Sequence, residues 1–212
     1  MLTTVEQFVL LALDPRTGDF RTIQSEYLHA GLVGAAVMEL ALADKIDSDV
    51  DAAWVVDPSP TGSASLDPVL EAMARLGSPV KLDHLIEELM PLGETVRQTV
   101  LESLCARKVL ELSEGRSVLL KKVTRYTLVN GREFDANKER LASLLKGEGL
   151  PDPSDLCLLT LAKTCGLVEK LMPAGDAGAA YDRLSQFSNL DLIGQNVRRY
   201  LYLFERDIGR LA

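Results

Sequence analysis

Residues 28–43, LHAGLVGAAVMELALA, are apolar or small at almost every position, with Glu39 the exception. A helix apolar on all sides belongs in the middle of a protein. Gly31, Gly34, Ala35 and Ala36 leave room for neighbouring helices to come close, although each glycine costs a helix interior ~0.5–1 kcal/mol relative to alanine. The run is too short and too interrupted for the ~20 apolar residues of a membrane span. It predicts the central helix of a water-soluble bundle, and most of its residues read as core and nothing more.

Upstream, Thr3 and Thr4 are followed three residues later by Glu6 and Gln7, the spacing at which an N-terminal side chain and backbone satisfy each other's orphan donors. A helix with Val5, Phe8, Val9 and Ala12 inward follows, ended by Asp14-Pro15, since the residue before proline is pushed out of the α region. Downstream, Asp47 to Asp51 reads as an acidic loop and Ala53 to Val56 as a short strand in which Trp54 is a packing anchor. Asp67-Pro68 opens a helix with Val69, Leu70, Met73 and Leu76 on one stripe, and Gly77 stops it. Val80 to Met90 predicts a further helix, Pro91-Leu92-Gly93 a break, and Glu94 to Lys108 an amphipathic helix with Val96, Val100, Leu101 and Leu104 inward. Strands are expected at 109–112 and 118–123 around a turn at 113–116, with Tyr126-Thr127-Leu128 extending the sheet. Helices are expected over 134–146, from Pro151-Asp152-Pro153-Ser154 to Cys165, over 166–172, and near 179–187 and 192–211, where Ile193, Val197, Leu201 and Ile208 share a side. The fold class is mainly α: a single helical-bundle domain spanning 1–212 around a buried central helix, with a small β-hairpin element.

Composition narrows the function. The chain begins with an amphipathic pattern and not with a basic stretch followed by an apolar one, so a cytoplasmic location is expected. Cys105, Cys157 and Cys165 form no CxxC pair and sit among apolar neighbours, which indicates neither zinc nor a disulfide framework. The formal charge of −8 argues against nucleic acid as a partner, because phosphate contacts need a positive surface. Between Arg116 and Arg132, however, stand five basic residues and no acid, so this segment is +5 on a remainder of −13.

Chemistry is sparse. His29 and His84 lie far apart with no ligand spacing around them, so neither a metal site nor histidine catalysis is supported. Gly31-Leu32-Val33-Gly34 lacks the phosphate-loop pattern. Glu39 offers a carboxylate of raised pKa, although a buried partner such as an arginine or a helix N-terminus is the commoner reason for such a residue. No catalytic residue, cofactor or metal is expected. One reading of 80–128 remains: helix, helix, strand, turn, strand is the order of a winged-helix module that binds nucleic acid or protein, but its second helix carries Glu94 and Glu102 against Arg97, Arg107 and Lys108.

Val9-Leu10-Leu11-Ala12-Leu13-Asp14, Gly31-Leu32-Val33-Gly34, Glu39-Leu40-Ala41-Leu42-Ala43, Pro60-Thr61-Gly62 with Leu66-Asp67, Val96-Arg97 and Lys108-Val109-Leu110 occur in that order. Together they resemble the Golgi phosphoprotein three family nearly end to end. The resemblance implies a mostly helical, non-enzymatic peripheral membrane protein that recognises phosphatidylinositol 4-phosphate and, in eukaryotes, the cytosolic tails of Golgi glycosyltransferases; a bacterial-type relative is indicated here. The family's pocket tryptophan falls at Gln24, the arginine between the two glycines at Val33, and two arginines one turn apart at Glu94 and Arg97. Only Arg97 keeps its type, and Glu94 places a carboxylate where a phosphomonoester needs donors. The family's apolar-tipped hairpin is matched by Val118, Leu119 and Leu120 beside Lys121, Lys122 and Arg125. The lipid-binding residues implied are therefore Arg97, Lys121, Lys122 and Arg125, and the membrane-contacting ones Val118, Leu119 and Leu120. The partners implied are anionic membrane lipids and proteins whose identity the sequence does not give, with a homo-oligomer compatible with the sequence.

Overall fold

A computed structural model describes residues 1–20, 22–116, 122–172, 177–187 and 191–209, with side chains described among them except at 114–116, 122–123, 177–179 and 207–209. In chain order the elements are α1 (Thr4–Ala12), α2 (Ser25–Leu42), β1 (Ile46–Ser48), β2 (Ala52–Val55), α3 (Asp67–Leu76), β3 (Val80–Lys81), α4 (Leu82–Leu89) and a 3-10 turn at Met90–Leu92. They continue through α5 (Gly93–Ala106), β4 (Leu110–Arg116), β5 (Lys122–Leu128), α6 (Arg132–Lys146), α7 (Pro153–Thr164), a 3-10 turn at Val168–Lys170, α8 (Ala177–Phe187) and α9 (Leu192–Gly209). The fold is mainly α, with two small sheets among the described residues.

The apolar run is the axis of the molecule. α2 packs against α1, α5, α7 and α9, and Leu32, Val33, Val37 and Leu40 are wholly buried. Each such side chain contributes roughly 1.5–3 kcal/mol on leaving water. The small residues do what the sequence suggests. A Cβ on Gly31 would lie 2.1 Å from Cζ of Phe8, and one on Gly34 2.6 Å from Cγ2 of Val197, so α1 and α9 press on α2 where it has no side chain. The buried apolar residues form a cluster running from Leu2 to Leu201.

Local signals set the start of α1. The Thr3 hydroxyl accepts from the Glu6 amide at 3.3 Å while the Glu6 carboxylate accepts from the Thr3 amide at 3.1 Å. Asp14 closes the same element, accepting from the amides of Arg16 and Thr17, and these bonds hold its carboxyl below the usual range. At α7, Asp152 and Asp155 repeat the reciprocal cap.

Several expected boundaries shift. The first two residues of the expected acidic loop belong to β1, which pairs antiparallel with β2 as Ile46 opposite Val55, and Val80 belongs not to a helix but to β3, on the far side of β2. Residues 113–116 are not the hairpin turn: they continue β4, paired from Leu110 opposite Leu128 to Arg116 opposite Lys122. Gly93 begins α5 and is no break, because the proline before it is accommodated in a 3-10 turn. The side chain of Ile208 and residues 173–176, between the helices expected over 166–172 and near 179–187, lie outside what the structure describes. The winged-helix order is present along the chain, but β3 pairs with β2, which leaves β4 and β5 as a separate two-stranded sheet.

Candidate functional site at the root of the hairpin

The β4–β5 hairpin is tied to the body at its base. The Tyr126 amide donates to the Gly18 carbonyl at 2.7 Å, fastening β5 to the loop between α1 and α2, and the Val129 amide donates to the Val109 carbonyl at 3.0 Å. α5 enters beside it: Gly93 comes so close to α2 that a Cβ there would lie 2.4 Å from that of His29. This approach brings the first turn of α5, the first turns of α2, the loop at Phe20 and strand β5 to one place.

Arg97 is the centre of the cluster. Its Nε and Nη2 donate to the two carboxylate oxygens of Glu94 at 2.8 and 2.5 Å, one turn earlier on α5. Its guanidinium carbon stands 5.6 Å from the centroid of the Phe20 ring, within the range of a cation–π contact. Nε2 of His29 lies 3.3 Å from Glu94, so the carboxylate has a ring nitrogen on one side and a guanidinium fork on the other. The hydrogen bond from Arg97 holds the Glu94 carboxyl below its usual range, and the bond to Glu94 raises the Arg97 guanidinium. Burial pushes the Tyr126 phenol up, while the Arg97 charge opposes the shift. Side-chain exposure is 25% for Arg97 and 21% for His29, but 55% for Glu94, which is the member open to solvent.

The residues singled out from the sequence do not all meet here. Arg97 and Glu94 do. Gln24 occupies the N-cap position of α2, is exposed and makes no capping bond through its side chain. Val33 lies one turn beyond His29 and is wholly buried. Arg125 is exposed on β5, two residues after Val123. Val118, Leu119, Leu120 and Lys121 lie outside the described residues, as does the side chain of Lys122, whose backbone closes the ladder opposite Arg116. Three members of the cluster, Phe20, His29 and Tyr126, carry no spacing signal that would have joined them, because only the approach of α5 to α2 and the tether at Gly18 bring them together.

Other polar groups serve the fold. Glu39 accepts from the Val5 amide at 3.3 Å at the N-terminus of α1, and burial pushes its carboxyl up; this is the helix-terminus partner weighed from the sequence. Glu6 holds Arg107 with contacts of 2.6 and 2.8 Å. Arg140 reaches the buried Asp155, and Thr160 the buried Asp191. The cysteines are free, and the described residues hold no group of three or more His, Cys, Asp or Glu placed to bind a metal. Cavities of ≈450 and ≈440 Å³ between the β1–β2 turn, the start of α4 and α9 share no lining residue with the Arg97 cluster. No helix among the described residues is long and apolar enough to cross a membrane.

No curated protein matches the chain. Residues 5–202 match the family model of Golgi phosphoprotein 3 (GPP34), the family whose motif order the sequence carries. With nearly the whole length covered, the chain belongs to the Golgi phosphoprotein 3 (GPP34) family.

Proposed function

We propose that the chain acts as one non-enzymatic domain, residues 1–212, that associates peripherally with anionic membranes through the segment joining β4 to β5 and recruits protein partners to them. The observation that carries this reading is the composition of that segment on a hairpin anchored at Gly18: Val118, Leu119 and Leu120 followed at once by Lys121 and Lys122, with Arg125 beyond. Each Lys or Arg close to an anionic leaflet is worth ~1 kcal/mol, so the three bases together offer roughly 3 before screening. A fully inserted leucine adds ~1.5–3 kcal/mol. Immobilisation and repulsion from the acidic remainder offset part of this, so the grip is reversible and calls for a second signal, such as a membrane-anchored partner. Phosphoinositide recognition is not part of the proposal, since Gln24, Val33 and Glu94 replace the aromatic and basic groups the family pocket would need. The nucleic-acid reading is disfavoured by charge: Arg97 on α5 is held by Glu94, and Arg107 at its C-cap by Glu6.

Replacing Leu119 and Leu120 together by Ser should abolish pelleting with anionic vesicles and leave the thermal unfolding midpoint nearly unchanged, and wild-type pelleting should weaken with added salt. A double variant that pellets like wild type, or one that unfolds many degrees lower, would remove the hairpin from the membrane. So would a duplex-DNA mobility shift near physiological salt without any vesicle pelleting.

A further inference from the structure

We infer that the cleft between the β1–β2 turn, the start of α4 and α9 binds a small phosphorylated sugar, with its phosphate on Arg198 and Arg199 and its hydroxyls on Asp51 and Asp83. The cleft shares no lining residue with the Arg97 cluster, and the inference does not depend on the membrane reading.

Two adjoining cavities of ≈450 and ≈440 Å³ make up the cleft, with Val50, Asn196 and Arg199 lining both. Each is of the size that holds a small organic ligand. The walls are held by the fold. The Leu82 amide donates to the Asp51 carbonyl at 2.9 Å, joining α4 to the β1–β2 turn, and within that turn the Asp49 carboxylate accepts from the Asp51 and Ala52 amides at 2.8 Å. α9 is seated on α2 through the close approach of Val197 to Gly34.

The charges of the cleft are poorly matched to one another. On a chain of net charge −8, Lys81, Arg198 and Arg199 line it together, and among the described residues neither Lys81 nor Arg198 has a hydrogen-bond or ion-pair partner. Arg198 instead faces a like charge: burial first, and then Arg198, hold the Lys163 ammonium of α7 below its usual range. Arg199 makes one long contact, 3.5 Å from its Nη2 to Oδ2 of Asp83, so its fork is unfilled, whereas both prongs of Arg97 end on Glu94. Asp83 is equally short of donors. Its buried Oδ1 accepts no hydrogen bond among the described residues, and Nε2 of His84 stands 3.7 Å from it. Adjacent guanidinium groups suit a phosphomonoester, which offers several acceptor oxygens and more than one charge. A bare phosphate would also meet the carboxylates of Asp51 and Asp83, a repulsive arrangement. Hydroxyl groups on the same ligand turn those carboxylates into acceptors, so a phosphorylated sugar compensates both signs. Tyr202 and Val50, 64% and 75% exposed, supply an apolar wall for the face of the sugar ring.

The test is a calorimetric titration of the full chain with ribose 5-phosphate, ribose and inorganic phosphate at equal ionic strength. Ribose 5-phosphate should bind at least about tenfold more tightly than either of the others, since each of them carries only one of its two recognition groups. The Arg198→Ala, Arg199→Ala double variant should lose it with a near-native thermal midpoint, because both side chains are exposed. Asp83→Asn should narrow the gap by weakening the sugar phosphate and admitting inorganic phosphate. Backbone amide NMR signals of residues 81–83 and 195–202 should shift on binding while those of 93–97 stay, a readout that needs no variant. Equal affinities for ribose 5-phosphate and inorganic phosphate, no saturable binding up to about 10 mM, unchanged binding by the double arginine variant, or shifts confined to other residues would overturn the inference. Adenosine 5′-monophosphate separates two sources of the same group. Binding tighter than that of ribose 5-phosphate assigns the site to a nucleotide and weaker binding to a free sugar phosphate, and both outcomes support it.

Discussion

Arg97 and Arg107 stand toward opposite ends of α5, each in an ion pair with a glutamate, and the two pairs do different things. Arg107 reaches across to Glu6 on α1, whose side chain is only 7% exposed and which also takes Ser103 and the Thr3 amide. That pair joins two helices and compensates a buried charge. Arg97 pairs with a residue one turn away on its own helix, with Glu94 largely in solvent. The Glu94–Arg97 contact itself joins no two elements, and exposed pairs at this spacing are worth only ~0.3–0.5 kcal/mol. One ion pair is part of the fold, whereas the other is a surface arrangement.

The largest break in this comparison comes from Arg107→Ala, which leaves the Glu6 carboxylate buried with amide and hydroxyl partners only. Removing one partner of a fully buried pair costs 3–5 kcal/mol, and since Arg107 is 41% exposed the expected loss is nearer ~2–3 kcal/mol in chemical denaturation. A loss below ~0.5 kcal/mol would mean that solvent already serves Glu6.

A smaller effect, visible only against pH, is expected at Glu39. Burial raises its carboxyl pKa in the folded chain, so the folded state holds this proton more tightly than the unfolded one. The stability this supplies is fully present below the ordinary glutamate pKa of ~4.3 and is lost as pH rises through the raised folded value. Glu39→Gln cannot lose that proton. The variant's stability, relative to wild type, should therefore climb as pH rises above about 4.3 and through the raised folded value, by an amount within about 1 kcal/mol. A difference that stays flat over that range would show that the Val5 amide bond cancels the burial.

How much of this was legible in the sequence depends on whether the cause is local. The Thr3–Glu6 cap, Pro68 at the start of α3 and the small residues at Gly31 and Gly34 can be read directly, because the physics that uses them lies within a few residues or needs only the absence of a side chain. β1 and β3, three and two residues long, cannot, because they are too short to show a period and are specified by pairing with β2. Ser113-Glu114-Gly115-Arg116 has turn composition yet is strand, since the register from Leu110 opposite Leu128 carries it through. At the site, Arg97 and Glu94 came from motif resemblance and their one-turn spacing. His29, Phe20 and Tyr126 did not, because what joins them is the contact of Gly93 with His29 and the bond from Tyr126 to Gly18.

The contrast between the two ion pairs of α5 requires Glu94–Arg97 to be independent of the fold, and double-mutant cycles on the two pairs measure that independence directly. With Glu6→Gln and Arg107→Ala, then Glu94→Gln and Arg97→Ala, each taken singly and together, the coupling energy isolates the pair from the rest of each side chain's contacts. The account predicts a coupling of about 1.5 kcal/mol or more for Glu6–Arg107 and no more than ~0.5 kcal/mol for Glu94–Arg97. A Glu94–Arg97 coupling as large as that of the buried pair would contradict it, and would make that pair a structural clasp.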